Sequence, residues 1–190
     1  LWRLEDIDIP NPNHFAVAGS AGGPQSIINN KYLANSEFYT GAFPANYGNA
    51  LGGVFDLKMR NGNNEKHERT FQLGILGTEL SLEGPLSKKS GASYLISYRY
   101  STLALFGSVN FKLGTSAIPN YQDVGIRLNF PTKKAGVFSF TGIGGLSDIA
   151  IVLSDISERP KELYGDQNRD QYFRTNMGVG ILSHVYALNP

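Results

Sequence analysis

Apolar and polar residues alternate along most of residues 70–190, and this period of two predicts β-strands. The pattern is clearest around 93–101, where Tyr94, Ile96 and Tyr98 alternate with serine and arginine on the other face. The same alternation recurs in five other stretches: 71–75, 80–86, 124–130, 138–141 and 173–185. The chain therefore predicts about six strands, each with one apolar face and one polar face.

The connections between these strands differ in length. Residues 87–91 and 131–136 are short polar turns, whereas 103–120 and 147–170 are long loops. A soluble β-sandwich turns its apolar faces inward, whereas an outer-membrane β-barrel turns them toward lipid and lines its lumen with polar side chains. Alternation is compatible with both, but short turns at one edge and long loops at the other favour the barrel.

The first 35 residues predict a smaller, more irregular unit. Residues 2–9 predict one short strand. Pro10 ends this strand, and residues 11–15 predict a turn or loop because prolines and asparagines are frequent there; the glycines of 19–24 predict a flexible connection. Residues 26–33 predict one short helix that leads into the next strand.

The segment 36–62 combines two strand patterns with a turn-rich centre. Strands are predicted at 37–39 and 53–59, and the residues between them include Pro44 and several glycines. Glycine adopts positive φ at little cost and proline fixes φ, so this centre predicts tight turns. Residues 60–64 then predict a polar turn or linker.

The order of these features resembles the end of the plug domain in TonB-dependent outer-membrane receptors of the Bacteroidetes type. The matching residues are Phe38-Tyr39-Thr40-Gly41, Tyr47-Gly48, Gly52-Gly53 and Val54-Phe55-Asp56-Leu57. Within them, the expected plug turn motif comprises Gly41, Tyr47, Gly48, Gly52 and Gly53.

The resemblance implies three regions. Residues 1–62 would be the C-terminal part of a plug, residues 63–69 a linker, and residues 70–190 the first six or so strands of the barrel. The expected fold class is mainly β, with a small α+β plug remnant followed by antiparallel strands of an incomplete transmembrane β-barrel. A plugged barrel of this kind needs about 22 strands, so the chain is expected to be a fragment.

Composition limits the classes of function. The chain has 190 residues, of which 17% are charged and 12% aromatic, with 22 glycines and a net charge of +1. This charge gives no argument for nucleic-acid binding, and the absence of cysteine excludes disulfides and thiolate metal sites. No apolar stretch reaches the roughly 18 residues that a membrane helix needs, whereas a membrane strand needs only about 9–11.

No pattern in the sequence indicates catalysis. The histidines His14, His67 and His184 lack metal-ligand spacing, and Ser20 lies outside a nucleophile-elbow motif. The glycines of 19–23 precede no Lys-Ser or Lys-Thr pair that would make a phosphate loop. The sequence therefore predicts no enzyme, no catalytic residue, no metal site and no cofactor.

Charged residues on the polar strand faces form the more informative set, which comprises Glu79, Glu83, Arg99, Asp123, Arg127 and Arg174. Buried ionisable groups are costly unless they are paired. Two interpretations stay open: these residues make polar contacts that seat the plug, or they face bulk water. By analogy with the apical plug loops that hold ligand in such receptors, the candidate ligand-binding residues are Asn11, Asn13, His14 and Phe15.

The resemblance implies a fragment of a receptor for energy-coupled uptake of an oligosaccharide, peptide or metal chelate. Its expected location is the outer membrane of a Gram-negative cell. Expected partners are outer-membrane lipid, a TonB complex bound through a segment outside this chain, and a surface substrate-binding lipoprotein, but not nucleic acid. The alternative is a secreted soluble β-domain that binds glycans or protein as an adhesin does.

Overall fold

The computed structural model describes residues 1–16, 19–20, 22–102, 119–151 and 171–188. These residues are mainly β and form three sheets, and one 3₁₀ helix (Asn30–Tyr32) lies among them. In chain order the strands are β1 (Trp2–Leu4), β2 (Ile7–Ile9), β3 (Asn13–His14), β4 (Gln25–Ser26), β5 (Glu37–Tyr39), β6 (Val54–Leu57), β7 (Glu68–Leu73), β8 (Thr78–Ser87), β9 (Ala92–Tyr100), β10 (Asn120–Pro131), β11 (Val137–Ile151) and β12 (Gln171–Val185). The mainly β class is confirmed.

The last six strands form one antiparallel sheet in chain order, with β7 and β12 at its edges. Pairing between β10 and β11 is continuous over twelve residue pairs, and a single irregularity near Pro85 interrupts the pairing of β8 with β9. The six antiparallel strands expected from the alternation are therefore confirmed. Within the described residues the two edge strands do not pair with each other, so the sheet is open and no barrel closes.

Connections of different length join these strands. Residues 88–91 and 132–136 are short turns at the same end of the strands. We call this end of the sheet the short-turn edge, as distinct from the edge strands β7 and β12. β11 runs on to Ile151, so the loop predicted at 147–170 begins later than expected, because β11 pairs with β12 along its whole length. The rest of that predicted loop, and residues 103–118 of the other, lie outside the described residues.

The N-terminal sheet has the strand order β2-β1-β6-β5, and β1 runs parallel to β6. The single strand predicted for residues 2–9 is wrong, since these residues form the β1–β2 hairpin. Glu5 and Asp6 make its two-residue turn with φ of 50° and 68°, as a type I′ turn requires. The Arg3 guanidinium donates a 2.5 Å hydrogen bond to the Asp6 carbonyl and holds this turn.

The helix predicted for residues 26–33 is wrong over most of its length. Only Asn30–Tyr32 is helical, as a single 3₁₀ turn. The Ser26 hydroxyl accepts a 3.1 Å hydrogen bond from the Ile28 N–H, and the Asn29 side chain accepts another from the 3₁₀ turn. Such side-chain to backbone bonds compete with α-helical ones, which explains the short element.

The strand pair predicted within residues 36–62 is confirmed, because β5 and β6 pair antiparallel. The turn between them is closed partly by the Tyr47 N–H, which donates a 3.0 Å hydrogen bond to the Pro44 carbonyl. Positive φ occurs at Ala42, with a φ of 52°, but at none of the motif glycines Gly41, Gly48, Gly52 and Gly53. The expectation that these glycines supply positive φ is therefore wrong.

Residues 1–62, which we call the N-terminal unit, cover one face of the six-stranded sheet. Leu4 and Leu57 of this unit belong to the same buried cluster as Leu95 and Ile143 of the sheet. Leu4 and Leu95 are completely buried. We call this side of the sheet the covered face and the opposite side the outer face.

The apolar side of strand β12 lies on the covered face. The sequence predicts instead that the polar side of this strand, with Arg174, lies there. Val179 is in register with Ile143, and Met177 and Val179 pack against the buried cluster. Arg174 is in register with Asp148 and lies exposed on the outer face. Alternation defines two faces of a strand, but pairing with a neighbour decides which face is covered.

Candidate functional site: the contact between the N-terminal unit and the covered face

A buried carboxylate on β8 receives the 3₁₀ turn of the N-terminal unit. The Tyr32 hydroxyl donates a 2.5 Å hydrogen bond to Glu79 Oε1, and Lys31 Nζ lies 3.1 Å from Glu79 Oε2. Glu79 is only 5% exposed, so these partners replace the water it would otherwise bind. Burial, reinforced by the hydrogen bond to Glu79, raises the pKa of Tyr32 to about 12.

A second carboxylate on β8 holds the end of the N-terminal unit. Arg60 forms two parallel hydrogen bonds to Glu83, from Nη1 to Oε2 at 2.7 Å and from Nη2 to Oε1 at 2.8 Å. The Asn63 N–H donates a third bond to Glu83 Oε2 at 2.8 Å. The hydrogen bonds to Glu83 raise the pKa of Arg60. Because Arg60 binds Glu83 at two points, the pair fixes the direction in which the chain leaves the N-terminal unit.

Asp123 on β10 is the centre of a third group of contacts. Its Oδ2 accepts hydrogen bonds from Arg99 Nε at 2.9 Å and Nη2 at 2.7 Å, and His14 Nε2 lies 3.0 Å away. Arg99 also donates to the carbonyl of Ser26. The Tyr121 ring lies 4.8 Å from the His14 ring and 5.6 Å from the Arg99 guanidinium.

Arg127, also on β10, joins the first hairpin to the sheet. Its Nη1 lies 3.1 Å from Glu5 Oε2 and donates a 2.5 Å hydrogen bond to Thr141 Oγ1, and its Nε donates to Asn61 Oδ1 at 3.1 Å. Glu5 in turn accepts a 2.7 Å hydrogen bond from the Met59 N–H. Arg127 therefore contacts Glu5, near the start of the N-terminal unit, and Asn61, near its end.

The structure brings five of the six predicted charges to this contact, namely Glu79, Glu83, Arg99, Asp123 and Arg127. Arg174 is the sixth and lies on the outer face, away from the N-terminal unit. Sequence reasoning missed the partners Glu5, Lys31, Tyr32 and Arg60. The sequence could not show these pairings, because each partner lies 20 or more positions away from the residue that it contacts.

The candidate ligand-binding residues lie near the Asp123 group. Asn13 and His14 are buried in the small β3–β4 pair, whereas Asn11 and Phe15 are half-buried. Asn11 donates hydrogen bonds to the Ser20 and Gly22 carbonyls, at 2.9 and 3.0 Å, and thereby closes its own loop. The buried His14 therefore anchors the loop, and of the four candidate residues Asn11 and Phe15 are the more accessible.

The residues predicted to form a plug turn motif make a separate polar contact within the N-terminal sheet. The Tyr47 hydroxyl donates a 2.7 Å hydrogen bond to Asp56 Oδ2, which raises the pKa of Tyr47, and the Arg3 guanidinium lies 5.0 Å from the Tyr47 ring. A Cβ at Gly53 would lie 3.3 Å from the Phe38 ring, so a side chain there would crowd β5. Open space surrounds the other motif glycines, Gly41, Gly48 and Gly52.

Two open clefts lie beside the contact. One, of about 510 Å³, is lined mainly by polar side chains, including Asn29, Lys31, Glu79 and Arg99. The other, of about 440 Å³, lies between the loop of Asn11 and strand β12. Within the described ranges, no group of three or more histidine, aspartate or glutamate side chains is arranged to hold a metal ion.

The outer face of the sheet is apolar and exposed. Leu80, Tyr98 and Val124 lie side by side on β8, β9 and β10 and are 47%, 44% and 37% exposed. Toward the short-turn edge, the next cross-strand neighbours on this face are also apolar or aromatic: Leu82, Ile96, Ile126, Tyr94, Leu128, Phe140, Leu182, Phe130 and Phe138. Arg69 on the edge strand β7, in register with Leu82, interrupts this surface at its margin.

None of the helices among the described residues combines the length and the apolar character needed to cross a membrane. Comparisons of the chain with protein-family models, with curated protein sequences and with solved structures gave no match.

Proposed function

We propose that this chain is the end of the plug and the first six strands of the barrel of a TonB-dependent outer-membrane receptor. The observation that carries the proposal is the polarity of strands β8–β11, whose charged face is covered and whose apolar face is exposed, whereas β12 turns its apolar side to the covered face. A soluble sandwich has the opposite arrangement. A barrel strand facing lipid on one side and a filled lumen on the other accounts for both faces.

The paired charges of the covered face support the assignment of the N-terminal unit as a plug. Glu79 meets Lys31 and Tyr32 of that unit, Glu83 meets its Arg60, and Asp123 meets its His14, so the plug would supply polar partners to the charges of a lumen wall. Contacts made through ion pairs and hydrogen bonds, with a small apolar cluster, suit a unit that has to shift during transport. A permanently packed core would resist such a shift more strongly.

The open edges of the sheet also support a larger barrel. Among the described residues, strands β7 and β12 each pair with one neighbour only, and proteins normally pair or cover such open edges. In the proposed receptor, further strands would pair with β12, and the last strand of a barrel of about 22 strands would pair with β7.

The proposed activity is energy-coupled uptake without chemistry on the substrate. A nutrient would bind from outside the cell, and a TonB complex, acting through a segment outside this chain, would displace the plug. The candidate ligand contacts are narrowed to Asn11 and Phe15, since Asn13 and His14 are buried. Oligosaccharides, peptides and metal chelates remain the proposed substrate classes, and a surface lipoprotein is the proposed partner that delivers them.

The test is the location and heat-modifiability of the complete gene product. Cell envelopes are fractionated, and the gel mobility of the protein is compared before and after boiling. The proposal expects an outer-membrane band that shifts on boiling, because a folded barrel resists the detergent until it is heated. A secreted or soluble product without a shift would overturn it and favour the adhesin-like β-domain.

A further inference from the structure

Two pairs of lysines occupy the short-turn edge of the six-stranded sheet. Lys88 and Lys89 lie in the β8–β9 turn, Lys133 and Lys134 lie in the β10–β11 turn, and all four are exposed. The two turns are neighbours, because a Cβ at Gly91 would lie 3.6 Å from the Pro131 ring. Four lysines therefore lie in two adjacent turns at the short-turn edge.

Among the described residues, no ion pair neutralises Lys88, Lys89, Lys133 and Lys134, which we call the lysine edge. Neither turn contains an acidic residue. Glu65 in the linker and Glu68 at the start of β7 are the nearest acidic residues in the preceding chain, but Glu68 is paired with Lys66 at 2.7 Å. The edge as a whole therefore keeps a net positive charge.

The apolar outer face ends next to the lysine edge. Phe130 and Phe138 form its last row and are 40% and 39% exposed, and His184 stacks on Phe138 with a 4.2 Å ring separation. Lys133 lies three positions after Phe130, a distance of about 10 Å along an extended chain. A lysine stem can follow apolar surface while its ammonium group reaches a more polar layer.

We infer that the lysine edge binds the anionic headgroups of phospholipids in the leaflet where the short turns emerge. The inference rests on the proposed function, because it needs the outer face to lie in a membrane. The phosphate of an anionic lipid supplies the missing counter-charge at the depth where the apolar surface ends. Basic residues at this depth attract anionic lipid over distances of about 8–10 Å at ordinary salt.

The experiment uses the complete gene product in phosphatidylcholine vesicles with a trace of spin-labelled lipid. Electron paramagnetic resonance measures the fraction of labelled lipid immobilised at the protein, for phosphatidylglycerol and for phosphatidylcholine. We expect phosphatidylglycerol to be preferred about fivefold at low salt and less as the salt concentration rises. The quadruple variant K88Q/K89Q/K133Q/K134Q should lose this preference yet immobilise the same total amount of lipid.

The variant K58Q/K66Q is the control, since it removes two lysines of the N-terminal unit and linker, and it should keep the preference. Equal immobilisation of the two lipids by the unaltered protein, or an unchanged preference in the quadruple variant, would overturn the inference but leave the receptor proposal standing. Failure of every variant to enter vesicles would overturn both. Loss of the preference with millimolar glycerol 3-phosphate, but not with sodium chloride of equal ionic strength, would instead identify a site for soluble phosphate.

Discussion

Arg60 and Glu83 hold the end of the N-terminal unit against the sheet through two hydrogen bonds of 2.7 and 2.8 Å. They lie at the point where the chain passes from the unit toward β7, so a two-point contact here fixes both position and direction. Charge-assisted pairs with this geometry are stronger than neutral hydrogen bonds. The pair therefore orients the N-terminal unit relative to the sheet.

Replacing Glu83 by glutamine should loosen this attachment. The Glu83→Gln variant loses the charge and one of the two acceptor positions for Arg60, and we expect the free energy of unfolding to fall by about 1–2 kcal/mol. Urea unfolding of the complete gene product in detergent, followed by circular dichroism, measures the change. Glu65→Gln, at an exposed linker position, is the control and should change stability by less than about 0.5 kcal/mol. Equal effects of the two substitutions would contradict a specific role for the pair.

Removal of the Asp123 charge should lower the free energy of unfolding more than Glu83→Gln does. Asp123→Asn leaves the Arg99 guanidinium largely buried without its counter-charge and weakens the contact to His14, so we expect a loss of about 3 kcal/mol. Asp148 lies exposed on the outer face and accepts a hydrogen bond from Asn120, so Asp148→Asn serves as the control with a small expected loss. A loss at Asp123 no larger than at Asp148 would show that the buried group contributes little.

Stability should fall at alkaline pH because of Tyr32. Its pKa in the folded protein is raised to about 12 from an ordinary 10, so the neutral hydroxyl stabilises the fold fully below pH 10 and loses that effect as pH rises toward 12. Between pH 9 and pH 11, the unaltered protein should lose about 1 kcal/mol more than Tyr32→Phe. Urea titrations at the two pH values measure this difference. Tyr172→Phe, at an exposed position, should follow the unaltered protein, and parallel behaviour of all three would refute the assignment.

Gly62 should tolerate no side chain. A Cβ at this position would overlap the carbonyl of Tyr94, which is backbone of the sheet and cannot move aside. We expect Gly62→Ala to destabilise the protein by about 3 kcal/mol. Gly48→Ala is the matched control, because no atom lies within 4 Å of its Cβ position, and it should be neutral or slightly stabilising. The same urea experiment measures both, and similar results for the two glycines would refute the close approach.

A charge on the outer face should distinguish lipid from water. Val124 is 37% exposed, so Val124→Arg would change the stability of a soluble domain by only about 0.5 kcal/mol. If the outer face meets lipid, the same substitution should cost about 2–4 kcal/mol and reduce the heat-modifiable form of the complete gene product in the outer membrane. Asn46→Arg, at an exposed position in the N-terminal unit, is the control and should have little effect in either case.

The sequence by itself determined the strands and their two faces. Alternation of apolar and polar residues located all six strands of the large sheet, and the polar turns at 88–91 and 132–136 separated neighbours that then paired antiparallel. It also singled out six charges on the polar faces, five of which contact the N-terminal unit, but it left open whether they meet a plug or bulk water. These features are local, since a period of two and a turn need only neighbouring residues.

Only the tertiary structure decided which faces meet and which residues become partners. The parallel pairing of β1 with β6, the inward side of β12 and the contact of Arg60 with Glu83 join residues distant in sequence. The local pattern of β12 is equally compatible with either orientation, and pairing with β11 selected one of them. The reason is physical: which face is buried, and which charges are paired, depends on the segments that fold against the sheet, and no local pattern specifies them.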